Sequence, residues 1–277
     1  MPKRKYEITK NTINRRIKEG RGKGVGSEYK PWITINDVPS KGRSCRDFGI
    51  KTHRIHHFLS DLERNFFFMC EWDDRIVDIR EHFPLDRVLA LELAEKHNIS
   101  YPTNTTENEP IVLTTDFVLT YHSDDYIGDK DIAVSVMYSK DLEKISNLNI
   151  LEIQRRYWKE LEVPFYIFTE KEVNRTVVDN IKWLHTSYSD IDESSYVYYE
   201  PTSNLILSGI GASSSTISEL LNSIDDELGL ENGTALRVFR LLLAHKTILF
   251  DITKMISLQE PCSSFLVNIK DRKVSNL

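Results

Sequence analysis

Between residues 59 and 168 the spacing of apolar side chains changes period several times, and this succession limits the fold more than any other feature of the chain. Leu59, Leu62, Phe66, Phe67 and Met69 recur at helical spacing, with Ser60 or Asp61 able to cap. Residues 75–80 alternate with period two and predict a strand, closed by Pro84. Residues 85–97 return to helical spacing and stop near Tyr101-Pro102, ahead of a polar loop that runs to Pro110. Residues 111–119 and 132–138 are rich in β-formers, and the turn composition of 122–130 makes them adjacent strands. A long helix is expected over 141–161, with Tyr157 and Trp158 as core packing, and a short buried strand over 164–168. Helix, strand, helix, strand, strand, helix, strand packs most economically as an α/β domain, a mixed sheet flanked by helices.

A chain of 277 residues exceeds the usual size of one domain, and two are expected. A helix over 172–185 gives way to an acidic, tyrosine-rich run at 190–199, then to Gly209, Gly211 and a series of serines. This predicts a boundary near 170 and a linker over 187–204. Two short helices at 217–228 and 234–244, joined by a turn at 229–233, precede a hairpin formed by 246–252 and 263–269. That order predicts a smaller winged-helix-like α+β domain over 172–277. Asp225-Asp226-Glu227 on its first helix would repel phosphates, so it is expected to bind protein. The remaining divisions are a basic arm over 1–50 and the α/β domain over 51–171. No apolar run approaches the ~20 residues that span a bilayer. Met1-Pro2-Lys3-Arg4-Lys5-Tyr6 lacks the apolar stretch of a signal peptide, so a soluble cytoplasmic protein with no membrane partner is expected. Cys45, Cys70 and Cys262 are too far apart for a disulfide framework or a zinc site.

The net charge of −6 argues against nucleic acid only until its distribution is read. Residues 1–60 carry fifteen Lys and Arg against five Asp and Glu, and the rest of the chain is correspondingly acidic. Arg15, Arg16, Lys18, Arg21 and Lys23 interleave with glycines at 20, 22, 24 and 26, and Tyr29, Lys30 and Trp32 follow. Glycines allow close backbone approach to a phosphate track, cations release its counterions and aromatics stack on bases, which predicts an extended DNA-binding arm. Turn signals at Val38-Pro39-Ser40 and Lys41-Gly42 interrupt it, and Arg43 extends the basic set.

Hydrolysis of a phosphodiester bond requires hard oxygen ligands around one or two divalent ions. Nucleases of the restriction-enzyme type place an acid on a helix, an Asp on one strand, and an acid or amide, any residue, and a Lys on the paired strand. Glu63, Asp116 and Ser135-Val136-Met137 stand in those positions. His56 and His57, close to Glu63, are expected to contact phosphate or support the site, because Mg²⁺ prefers oxygen to imidazole. Alone, this pattern has little specificity.

The flanking residues add specificity. Arg15-Arg16-Ile17-Lys18-Glu19-Gly20-Arg21-Gly22, Pro31-Trp32, His56-His57-Phe58-Leu59-Ser60-Asp61-Leu62-Glu63, Glu71-Trp72, Asp78-Ile79-Arg80-Glu81-His82-Phe83-Pro84, Thr115-Asp116-Phe117 and Arg155-Arg156-Tyr157-Trp158 together resemble TnsA. TnsA is the endonuclease subunit of heteromeric cut-and-paste transposases. The resemblance covers roughly residues 12 to 185 and is weak over the last ninety. It implies a restriction-endonuclease-like fold that cleaves the 5′ ends of transposon DNA while a TnsB-type transposase processes the 3′ ends. A TnsC-type AAA ATPase regulator is implied as a partner of the C-terminal part. Mg²⁺, with Mn²⁺ as a substitute, would be held as one or two ions by Glu63, Asp116 and the carbonyl of Val136. Ser135 would take the place of a Gln ligand and act through water.

Family members carry the catalytic Lys where this chain has Met137. A thioether supplies neither charge nor proton transfer, and loss of a transition-state cation costs on the order of several kcal/mol. Two outcomes fit the motif: Lys140 swings in as the stand-in cation, or the site binds metal and DNA while cutting poorly and the subunit serves as an assembly module. Survival of both carboxylates favours retained but slowed cleavage, because carboxylates buried without function are costly.

Overall fold

The computed structural model describes residues 8–37, 43–104, 107–122, 128–189 and 196–268. The chain divides into two compact units, Met1–Val173 and Asn174–Leu277. The turn signals at 38–42, the tip of the turn at 123–127 and the acidic run at 190–195 lie outside the described residues.

In the first unit, α1 (Lys10–Lys18) is capped by the Thr9 hydroxyl, and a hairpin of β1 (Cys45–Gly49) and β2 (Arg54–Phe58) follows. Next come α2 (Asp61–Trp72), β3 (Ile76–Pro84), α3 (Arg87–Lys96), β4 (Thr114–His122), β5 (Asp129–Val136), α4 (Ile145–Glu160) and β6 (Phe165–Phe168). The main sheet has the order β3-β4-β5-β6; its first two pairings are antiparallel and the last is parallel. Helix, sheet and helix form the layers. Phe58 stacks with Phe117, and these rings pack at a tilt on Phe67 and Phe66 of α2, while Val118 and Ala133 pack with Leu93 of α3 and Ile153, Tyr157 and Trp158 of α4. This is the mixed sheet flanked by helices expected of a restriction-endonuclease-like domain.

The extended arm is corrected. Residues 8–37 belong to the first unit, and Ile13, Trp32 and Val112 form a core cluster. Trp32 N–H donates to the His82 carbonyl, the Tyr29 hydroxyl donates to the Glu81 carbonyl, and Gly26 N–H donates to Asp78. The segment is thereby fastened along β3. The cause lies in its apolar residues: Tyr29 and Trp32, expected as stacking aromatics, are only 2% and 3% exposed.

The second unit contains α5 (Arg175–His185), α6 (Tyr196–Gly209), α7 (Ile217–Leu228) and α8 (Thr234–Ala244), with β7 (Ile248–Leu249) paired antiparallel to β8 (Leu266–Val267). The linker expected over 187–204 is helical from Tyr196 onward, with Pro201 inside the helix. The expected hairpin is reduced to two paired residues on each side. Asp225 is also corrected as a phosphate-repelling surface group: it is buried, and its carboxylate accepts from the N–H groups of Gly233 and Ala235 at the start of α8. Among the described residues no helix is long and apolar enough to cross a membrane.

Candidate active site

Ser60 caps α2, accepting from Glu63 N–H at 3.1 Å, and this fixes Glu63 in the first helical turn. The carboxylate turns back over the cap: Leu59 N–H donates to Oε2 at 2.9 Å and the Ser60 hydroxyl donates to Oε1 at 3.1 Å. Asp116 comes from the third residue of β4. Its Oδ2 accepts from the Ser135 hydroxyl at 2.8 Å and from Val136 N–H at 2.7 Å. Phe117 pairs with Val134 on one side and Glu81 on the other, so His82, Asp116 and Ser135 stand in one row across three strands.

The two acids are close enough to act on one another. Burial pushes Glu63 up to about 7; His82 opposes the rise, Asp116 adds to it, and the two hydrogen bonds also oppose it. Burial likewise raises Asp116, against the Val136 N–H bond, the nearby His82 and the Ser135 hydroxyl. The site therefore holds two carboxyl groups whose charge is poorly compensated, from two elements that the sequence placed correctly.

His82 is the residue that sequence reasoning missed. It is buried, its Nε2 lies 3.7 Å from Glu63 Oε2, and that same nitrogen is 3.0 Å from the His57 carbonyl. Its φ of 48° is left-handed. The period-two pattern of β3 gives no sign of this break, although His82 stands within a motif that the TnsA resemblance uses.

The other expected residues fall in different places. Met137 is half-buried, and its N–H donates to the Phe168 carbonyl. Lys140, the expected stand-in, is exposed with its ammonium 5.5 Å from the centre of the Tyr138 ring, and it is not among the main charges acting on either acid. The Ser135 hydroxyl is engaged with Asp116. His56 is corrected as a phosphate contact: it is completely buried, with Nδ1 2.8 Å from Glu81 Oε2 and Nε2 2.7 Å from the Thr52 hydroxyl. Arg54 donates to both oxygens of Glu81 as well, at 2.9 and 2.5 Å. Burial alone would raise Glu81, but His56 and Arg54 hold it well below the usual carboxylate range. His57 is half-buried, and burial lowers its ring.

Arg16 and Arg21 are corrected in the same way. Arg16 is 2% exposed, 3.4 Å from Asp37 and stacked over Trp32, while Arg21 donates to Asp37 at 2.5 Å. Both charges are spent within the fold. Arg15, Lys18, Lys23, Lys30 and Arg43 are exposed, with Arg15 3.6 Å from Glu19 and the Lys30 ammonium donating to the Glu19 carbonyl.

Comparison with known proteins identifies the family of the chain. A family model described as TnsA-like endonuclease N terminal matches residues 73–170, and one described as TnsA endonuclease C terminal matches residues 172–252. The chain is 34% identical over 281 residues to the transposon Tn7 transposition protein TnsA of Escherichia coli, and the match covers all of both chains.

Proposed function

Because the chain belongs to the TnsA endonuclease family, and is thus a transposase endonuclease subunit, we propose that it hydrolyses a phosphodiester bond at each 5′ end of a transposon, using a divalent metal ion. A TnsB-type transposase would act at the 3′ ends, and a TnsC-type ATPase would engage the second unit. The observation that carries this reading is the convergence of Glu63 and Asp116, both buried, from a helix and a strand.

The donor set suits Mg²⁺ or Mn²⁺. Both carboxylates and the Val136 carbonyl are hard oxygens, and Mg²⁺ commonly binds through one or two carboxylates while keeping several waters. Glu63, Asp116 and the Val136 carbonyl would hold the ion, with water in the remaining positions. When bound, such ions polarise the phosphoryl group and lower the pKa of the attacking water. The protein's own part is orientation. Ser135 and Val136 orient Asp116 and oppose the rise that burial causes in it, and the Leu59 N–H and Ser60 hydroxyl aim Glu63. Arg15, Lys18, Lys23, Lys30 and Arg43 would hold the DNA.

A second reading is favoured by Met137. With no lysine at that position and Lys140 resting on Tyr138, the subunit would assemble on transposon ends and cut slowly, or only hold its partners there.

Cleavage of a transposon-end substrate with Mg²⁺ or Mn²⁺ and the partner subunits separates the two. Nicking at the 5′ end that disappears in Asp116→Ala supports the nuclease. A silent wild type with an active Met137→Lys identifies a dormant scaffold, and silence from wild type and both variants rejects catalysis.

A further inference from the structure

We propose that His82 is a positioning residue of this nuclease: its ring, turned toward β2 by the left-handed backbone at residue 82, fixes the corner from which Glu63 reaches the metal. The inference rests on the functional reading given above and adds a residue to that site.

The backbone carries the first part of the argument. Of the described non-glycine residues with positive φ, His82 alone lies inside a strand; His53, Asn98, Asn108, Glu162 and Lys246 lie in turns and loops. A left-handed residue is costly and persists only where its surroundings impose it. Here the break in alternation brings two consecutive side chains of β3 onto the same residue of β2. Glu81 Oε1 accepts from His57 N–H at 3.2 Å, and His82 Nε2 donates to the His57 carbonyl at 3.0 Å. In a regular strand, neighbouring side chains point to opposite faces and could not do this.

The second part is the route from His57 to Glu63. His57 is followed within two residues by Leu59, whose N–H holds Glu63 Oε2, and then by the Ser60 cap. His82 therefore grips the strand that leads directly into both of the groups aiming the carboxylate. Its Nε2 is also 3.7 Å from that carboxylate, and the residue stands in the same row as Asp116. From one buried position His82 sets the distance between the two metal-binding elements. Groups that orient metal ligands typically change metal affinity or activity by about 10- to 100-fold when removed.

The test uses the full chain and Mn²⁺ as the probe. Affinity is measured by electron paramagnetic resonance titration for wild type, His82→Ala, His82→Gln and Asp116→Ala, with thermal unfolding of each protein without metal. The expected result is a His82→Ala protein that folds but binds Mn²⁺ about tenfold or more weakly. In His82→Gln, whose amide N–H can reach the His57 carbonyl, most of the affinity should return. A lower melting temperature with unchanged Mn²⁺ affinity would make His82 merely structural and overturn the proposal, as would a His82→Gln protein no better than His82→Ala. If His82→Ala does not fold, His82→Gln decides alone: affinity near wild type supports the proposal and a tenfold loss overturns it. A wild type that binds Mn²⁺ no better than Asp116→Ala overturns the metal reading itself, an outcome distinct from the others.

Discussion

The Ser135 hydroxyl donates to Asp116 Oδ2 across 2.8 Å. At a position where the family resemblance implies a Gln ligand, this chain has a short side chain committed to its neighbouring acid. A hydrogen bond to a charged group contributes about 1.5–3 kcal/mol, so Ser135→Ala is expected to weaken Mn²⁺ binding roughly tenfold and to raise Asp116 further. The fold should be little affected, because Val136 N–H still holds the same oxygen at 2.7 Å. Mn²⁺ titration at several pH values tests this. Unchanged binding would show that Val136 suffices.

Burial of Glu63 makes the stability of the metal-free protein depend on pH. Its carboxyl is raised from 4.5 to about 7, so its contribution is fully present below pH 4.5 and is lost as pH rises through 7. Glu63→Gln removes that dependence. The melting temperature of wild type without metal should fall relative to Glu63→Gln between pH 5 and 8, and Mg²⁺ should restore it above pH 7, with proton release accompanying Mg²⁺ binding below pH 7, where Glu63 is still protonated. Parallel pH curves for the two proteins would show that Glu63 is not titrating in this range.

The fastening of residues 20–32 along β3 makes a different demand on sequence. Gly22 has φ +78°, and a Cβ there would stand 2.2 Å from Pro84 Cγ, whereas a Cβ on Gly20, at φ +73°, would meet nothing within 4 Å. Gly20→Ala therefore carries only the left-handed backbone cost of about 1–2 kcal/mol. Gly22→Ala adds a clash with a ring that cannot rotate away, for a further loss of roughly 1–3 kcal/mol. Urea unfolding of the two variants gives the difference directly. Equal losses would mean that Pro84 yields.

The acid pair and the sheet were legible because short-range patterns determine them. Glu63 sits on a 3.6-residue period behind a Ser cap, and Asp116 interrupts a run of β-formers, so each element was found within a few residues of its bounds. What escaped depends on pairings distant in sequence. Arg16 reads as a DNA-binding cation until Asp37 and Trp32 close around it, and His56 reads as a phosphate contact or a support of the site until Glu81 arrives from β3, 25 positions on. The hairpin of β1 and β2 was hidden inside a segment whose charge suggested an arm. His82 is the hardest case, because no local pattern marks a left-handed residue in mid-strand.

The cations of residues 1–60 now divide into two groups with opposite expectations. Arg16 is buried against Asp37, which burial would push up but which Thr34, Arg21 and Arg16 bring down to about 2. Arg21 and Thr34 stay bound to Asp37 when Arg16 is removed, so the loss falls below the ~3–5 kcal/mol of a stranded buried charge and comes with the lost packing on Trp32. Arg16→Ala should therefore lower the unfolding midpoint and leave the DNA affinity of the folded protein nearly unchanged. Lys18, Lys23, Lys30 and Arg43 are exposed. Their joint replacement by Ala should leave the melting temperature nearly unchanged, lower affinity for duplex DNA and flatten its salt dependence. With each lost phosphate contact reducing the slope of log affinity against log salt by about 0.9, four contacts would reduce it by about 3.6. Fluorescence anisotropy across a salt series, paired with thermal melts, measures both quantities. An unaltered slope would move the DNA path away from these four side chains, whereas a shallower slope in Arg16→Ala would restore that arginine to the DNA surface.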